Sequence, residues 1–182
     1  MEYSTQGQTA AGRYAQLQSA RSTFDREAKE SSKLTIPSLI PESTTGTRAK
    51  IKTPFQAVGA RGVNSLASKL LFALLPPSTA FFKLSIDSLE LLKQGQEGLE
   101  TEIDKGLRTI ETALMNEIEI SNDRVAMFEA LKHLIVGGNV LLYLTDDGLK
   151  VYPLSKFVCK RDAVGNVLEI ITQESVNPKA LP

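Results

Sequence analysis

Thr53-Pro54-Phe55-Gln56-Ala57-Val58-Gly59-Ala60-Arg61-Gly62-Val63-Asn64-Ser65-Leu66-Ala67-Ser68-Lys69-Leu70 carries the densest structural information in the chain. A hydroxyl at Thr53, a proline next to it and a glutamine at Gln56 make a capping-box pattern, with proline at the one helical position where its missing N–H costs nothing. The pattern predicts a helix over residues 53–75, stopped by Pro76-Pro77. Thr53 as its cap would contribute roughly 1 kcal/mol. The first half of this helix is rich in small residues (Ala57, Gly59, Ala60, Gly62, Ser65, Ala67), and the second, Leu70-Leu71-Phe72-Ala73-Leu74-Leu75, is apolar almost all round. A helix of that kind has to be buried on every side, by its own domain or by a neighbouring subunit. Each helical glycine costs about 1 kcal/mol against alanine. Gly59 and Gly62 therefore call for compensation, and the usual form is close approach of another backbone.

Upstream, residues 1–12 are polar and rich in Gly, Ala and Thr, and are expected to form a flexible arm. Residues 13–33 read as a single helix, with Tyr14, Leu17, Ala20 and Phe24 recurring at threes and fours. Residues 35–47, with Pro37, Pro41 and Gly46, read as an extended connector. Downstream, Phe82, Leu84 and Ile86 alternate with Lys83 and Ser85, the period of a half-buried strand. A long helix is predicted over 97–120 from the stripe Leu99, Ile103, Leu107, Ile110, Leu114 and Ile118. A further helix over 123–136, capped by Ser121 or Asn122, presents Val125, Phe128, Leu131 and Ile135 and ends at Gly137-Gly138. Two hairpins follow: 140–144 with 149–154 around Asp146-Asp147-Gly148, and 157–160 with 167–172 around Gly165-Asn166. The fold class is α+β, long helices followed by antiparallel strands. No element at Ala180-Leu181-Pro182 closes the sheet, which suggests a piece of something longer.

Composition narrows the function. The 182 residues are 42% hydrophobic and 23% charged, an ordinary globular balance. Lys plus Arg and Asp plus Glu are 21 each, so the basic excess of a protein that grips DNA by its phosphates is missing. The one cysteine, Cys159, lies in the apolar run Phe157-Val158-Cys159 and is expected to be a buried, inert thiol in a reducing compartment. The N-terminus has no basic and apolar signal pattern, and the apolar stretch 70–77 falls far short of the ~20 residues a membrane span requires. The one histidine, His133, has no nucleophile beside it and reads as structural or surface; one His and one Cys do not make a zinc site. Asp104, Arg108 and Glu111 have the spacing of a solvated, charge-paired helix face. Gly59-Ala60-Arg61-Gly62 lacks phosphate-loop spacing and sits inside a helix. No catalytic constellation, metal site or cofactor site emerges.

The stretch 53–70 closely resembles portal proteins, the head-to-tail connectors of short-tailed double-stranded-DNA phages. The resemblance extends upstream through 13–26 and Leu34-Thr35-Ile36-Pro37-Ser38-Leu39. Downstream it takes in Phe128-Glu129-Ala130-Leu131-Lys132, 136–144 and Arg161-Asp162-Ala163-Val164-Gly165-Asn166-Val167, so that about 13–171 is covered. It implies a structural subunit without catalysis, in a dodecameric ring at the single capsid vertex through which DNA enters and leaves. It also implies capsid and scaffolding proteins, terminase, tail adaptor and internal core proteins as partners, and no membrane. By the same resemblance, residues 13–182 correspond to the outer wing of a longer chain, in a virion component assembled in the host cytoplasm. Thr53, Pro54, Gly59, Arg61, Gly62, Asn64, Leu70 and Phe72 are the candidates for core and subunit packing. Arg48, Lys50 and Lys52 could touch phosphate or an acidic partner, with a solvated edge the favoured reading. A stand-alone helical interaction or nucleic-acid-binding module is the competing reading, and would require salt-sensitive DNA binding. A hydrolase has no supporting residues.

Overall fold

The computed structural model describes residues 9–41, 54–77, 79–85, 99–146 and 148–176. Among them, five α-helices precede two antiparallel hairpins: α1 (Ala10–Ala20), α2 (Ser22–Leu34), α3 (Val58–Leu74), α4 (Leu99–Ile120), α5 (Asp123–Gly137), then β1 (Leu141–Thr145) with β2 (Gly148–Tyr152) and β3 (Phe157–Arg161) with β4 (Val167–Thr172). A 3-10 turn, Leu154–Lys156, joins the hairpins. The α+β class and both hairpins follow the sequence reading.

The last helix organises the rest. Ala130, Leu131, His133, Val136 and Gly137 of α5 are buried, and the helix packs against α2, α3, α4 and β2. It ends where expected, at Gly138, whose φ of 71° is a left-handed conformation that favours glycine. Its start falls as expected at Asn122, whose side chain makes no cap bond, and Ser121 Oγ accepts weakly from Asp123 N–H at 3.4 Å. Beside it, Ala28, Ile40, Tyr152, Leu154 and Phe157 form a second buried cluster between α2 and the hairpins. Ser32, fully buried, closes the turn after α2: its hydroxyl donates to Ile36 O at 2.8 Å and accepts from Ile40 N–H at 3.2 Å.

Three expectations are corrected. The helix read over 13–33 is two helices, broken at Arg21 (φ −95°, ψ 4°). It also begins earlier, at Ala10, inside the segment read as an arm, where Thr9 Oγ1 accepts the Gly12 N–H at 3.2 Å. At the break, the Arg21 guanidinium reaches across to Leu154 O (2.9 Å) and Phe157 O (3.0 Å). Second, α3 does not start in a capping box. Pro54 to Ala57 are not helical, Ala57 takes the cap position with no side-chain bond, and Thr53 lies outside the described residues. The first turn is placed instead by the packing of Gly59 on the end of α2. Third, 82–85 form no strand. Phe82 and Leu84 are half-buried and Lys83 and Ser85 exposed, so the alternation is real, but Leu84 N–H donates to Glu111 Oε1 of α4 at 2.6 Å, and no ladder forms. Ile86 lies outside the described residues.

Glu111 is therefore not on the solvated, charge-paired face its spacing suggested. The α4 stripe is also only partly used: Ile103, Leu107 and Ile118 are half-buried and Met115 is buried, while Ile110 and Leu114 stay exposed. The side chain of Leu99 lies outside the described residues.

Candidate subunit interface

Helix α3 turns once every 3.6 residues, which places Gly59, Val63, Ala67 and Leu70 on one side. Val63 and Ala67 are buried there, and Gly59 and Leu70 half-buried. A Cβ on Gly59 would lie 2.5 Å from Leu34 O and 3.1 Å from Thr35 Cα, so glycine lets the start of α3 touch the end of α2 directly. At the other end, Arg124 of α5 donates to Leu75 O (2.7 Å) and Pro76 O (3.2 Å), satisfying carbonyls beyond the last turn of α3.

The remaining candidates point elsewhere. Arg61 and Phe72 lie on the opposite side, both exposed, and Asn64 is exposed on one flank. Gly62 is on the other flank with Leu66, Lys69 and Ala73, and a Cβ there would meet nothing within 4 Å among the described residues. Pro54 is half-buried ahead of the helix. The burial expected of the apolar second half is not supplied by the described part of this chain, since Phe72 is 64% and Leu74 54% exposed. The eight candidates thus divide: Gly59 and Leu70 pack inside the chain, whereas Arg61, Gly62, Asn64 and Phe72 face outward. Thr53 lies outside the described residues, as do Arg48, Lys50 and Lys52.

Polar ties that sequence reading missed hold α1 and the start of α2 against the hairpins. Arg13 of α1 grips Glu169 of β4 through Nε (3.0 Å) and Nη2 (2.9 Å) to Oε2. Tyr14 OH donates to Ser155 O at 3.2 Å. Arg21 also sits 2.8 Å from Asp25 and over the Phe157 ring. The only sequence signal was an arginine at an otherwise ordinary helical position, and partners more than 130 residues away carry no local pattern.

The titratable candidates are structural. His133 is buried, its Nδ1 has no hydrogen-bond partner among the described residues, and its Nε2 lies 3.8 Å from Glu129 Oε1. Burial holds its pKa below the usual 6.5, with Glu129 opposing and Lys132 reinforcing. The unfolded chain therefore binds a proton below about pH 6.5 that the folded chain resists. Stability is full above that pH and declines as pH falls towards the folded-state pKa. In urea unfolding, His133→Gln is expected to flatten this loss between roughly pH 7 and pH 5; an unchanged slope would assign it to other groups. Cys159 is on a strand as expected but half-buried, opposite Ile170, so it is less enclosed than its apolar run suggested. Among the described residues no cluster of three or more His, Cys, Asp or Glu could hold a metal, and no helix is long and apolar enough to cross a membrane.

Among the described residues no catalytic set is gathered, and α3 leaves Phe72 and Leu74 exposed. In agreement, residues 7–181 match the family described as bacteriophage head to tail connecting protein. The chain belongs to this family of structural proteins, and is not an enzyme. It is 42% identical over 177 residues to the portal protein of Escherichia phage T7, a match covering 93% of this chain and 33% of that protein. The portal protein of Enterobacteria phage T3 is 42% identical over 180 residues (95% and 33%), and that of Enterobacteria phage SP6 is 31% identical over 181 residues (94% and 33%). The chain thus spans about a third of the length of the curated relatives it matches.

Proposed function

We propose that the chain is the N-terminal, wing-type part of a portal subunit whose copies form a ring, dodecameric by resemblance, at the unique capsid vertex. The ring would be a platform for head assembly, a conduit for double-stranded DNA during packaging and ejection, and the attachment site of the tail. The observation that carries this reading is the outward side of α3. The apolar second half of the helix keeps Phe72 and Leu74 open, and Gly62, on a flank about 15 Å nearer the N-terminus, leaves room for a close neighbour. A closed ring needs such a surface on each subunit, complementary to a different surface on the next.

The charge balance agrees with a conduit. The support is weak, since zero net charge shows only that this third lacks the basic excess of a DNA-gripping protein, and an outer wing need not face the DNA. ATP hydrolysis would then belong to terminase, with capsid, scaffolding, tail adaptor and internal core proteins as the other partners, in a particle assembled in the host cytoplasm. Residues ahead of α1 would act as an arm and the rest as the wing-type region, and Arg48, Lys50 and Lys52 would serve an acidic partner or phosphate.

Imaging the full-length gene product tests this: the expected result is rings, and a monomer at micromolar concentration would end the reading. Gly62→Leu is expected to abolish rings while leaving helical content unchanged, because a Cβ added there meets nothing within 4 Å among the described residues. Normal rings from that variant in negative stain would remove Gly62 from the interface.

A further inference from the structure

The two edges of the first hairpin are treated differently. Its register pairs Leu142 with Val151, Leu144 with Leu149 and Thr145 with Gly148. Leu149 N–H turns away from β1 and donates to Asp123 Oδ1 at 2.8 Å, so Leu144–Leu149 is a pair without mutual hydrogen bonds. By the alternation of an antiparallel ladder Leu142–Val151 is another such pair, and the N–H and C=O groups of Leu142 and Leu144 point outward from β1. Helix α5 covers part of the β2 edge through Asp123. On the β1 edge, no hydrogen-bond partner meets the Leu142 or Leu144 amide among the described residues.

The side chains repeat the contrast. Leu142, Leu144, Leu149 and Val151 share one face of the ribbon, where Leu149 and Val151 are half-buried but Leu142 is 37% and Leu144 74% exposed. Leu141-Leu142-Tyr143-Leu144-Thr145 contains no charge, proline or glycine, the features that ordinarily blunt a free edge. A two-stranded ribbon is marginal in water, and a third strand is the usual remedy.

We propose that the outer edge of β1 is a strand-docking edge, completed by a β-segment from the two thirds of the full-length subunit that this chain does not contain. The proposal rests on the portal reading, because the relatives that supply that length are portal proteins of which this chain covers 33%. The same polypeptide is favoured over a neighbouring copy on physical grounds. An edge that waited for ring assembly would leave a bare apolar template on every free subunit, and such edges pair indiscriminately. Closure within the chain removes it before subunits meet.

Two measurements on the full-length protein test this. In the unmodified protein, hydrogen exchange at the Leu142 and Leu144 amides is expected to be slowed about 100-fold or more against an unstructured peptide. With p-benzoylphenylalanine in place of Leu144, irradiation is expected to give an adduct of monomer mass, linking position 144 to a peptide outside these 182 residues. Exchange near the peptide rate overturns strand docking, with or without an adduct, since a helix or loop lying on the face would not bond these amides. Adducts of twice the subunit mass overturn completion within the chain. Imaging keeps the underlying reading separate: rings with fast exchange remove the edge proposal alone, whereas slow exchange with a monomer-mass adduct and no rings removes the portal reading alone.

Discussion

Gly59→Ala is expected to destabilise the protein by roughly 2 kcal/mol, although alanine is the better helix former by about 1 kcal/mol. The reason is geometric. The new methyl would lie 2.5 Å from Leu34 O and 3.1 Å from Thr35 Cα, and both are backbone atoms that cannot rotate away. The start of α3 would have to separate from the end of α2, loosening Val63 and Ala67 where the helix packs on α5. Gly62→Ala, three residues along the same helix, has nothing within 4 Å to strike among the described residues and should gain up to about 1 kcal/mol. Urea unfolding of the two variants side by side removes propensity from the comparison, because both make the same change in one helix. Equal shifts would show that close approach at Gly59 contributes nothing.

Arg21→Ala is expected to cost about 3 kcal/mol, a large effect for a residue at a helix junction. Its two terminal nitrogens donate to Leu154 O and Phe157 O, its Nε lies 2.8 Å from Asp25 Oδ1, and its plane covers the Phe157 ring at 5.8 Å. The side chains of Arg21 and Asp25 are each 18% exposed, so solvent replaces little of what is lost. Truncation would leave two carbonyls without donors and a carboxylate without its counter-charge. Arg21→Lys should recover only part, since a single ammonium cannot span both carbonyls. A double-mutant cycle with Asp25→Ala separates the ion contact from the carbonyl bonds. A coupling near zero would assign the whole effect to the carbonyls, and a wild-type unfolding midpoint for Arg21→Ala would dismiss the anchor altogether.

The hairpins and α5 were legible because their signals are local. Asp146-Asp147-Gly148 and Gly165-Asn166 bend the chain within a few residues, and Gly138 ends a helix by its own backbone freedom. Local signals failed wherever a distant partner competed. The Thr53-Pro54 pattern promised a helix start that Gly59 postponed by packing on α2. The alternation from Phe82 was real burial, but the backbone found a carboxylate on α4 in place of a strand. The apolar end of α3 was expected to be buried on every side, yet Phe72 and Leu74 are exposed among the described residues, and its sequence could not say which turns would be covered from inside the chain.

For the interface, composition and spacing marked α3 as the segment to watch, while the division of its candidates depended on where α2 and α5 lie. Gly59 and Gly62 look alike in sequence; one abuts a backbone and the other opens outward, because they differ by about 300° around the helix axis. The extent of α5, the two hairpins with their turns and the neutral charge are properties of neighbouring residues or simple sums, and the chain alone determined them. The anchor at Arg21, the entry of α3, the fate of 82–85 and the open edge of β1 belong to contacts between residues far apart in sequence. Those were decided only when the helices packed, since a long-range contact is set by the competition among all possible partners and leaves no periodic trace in either one.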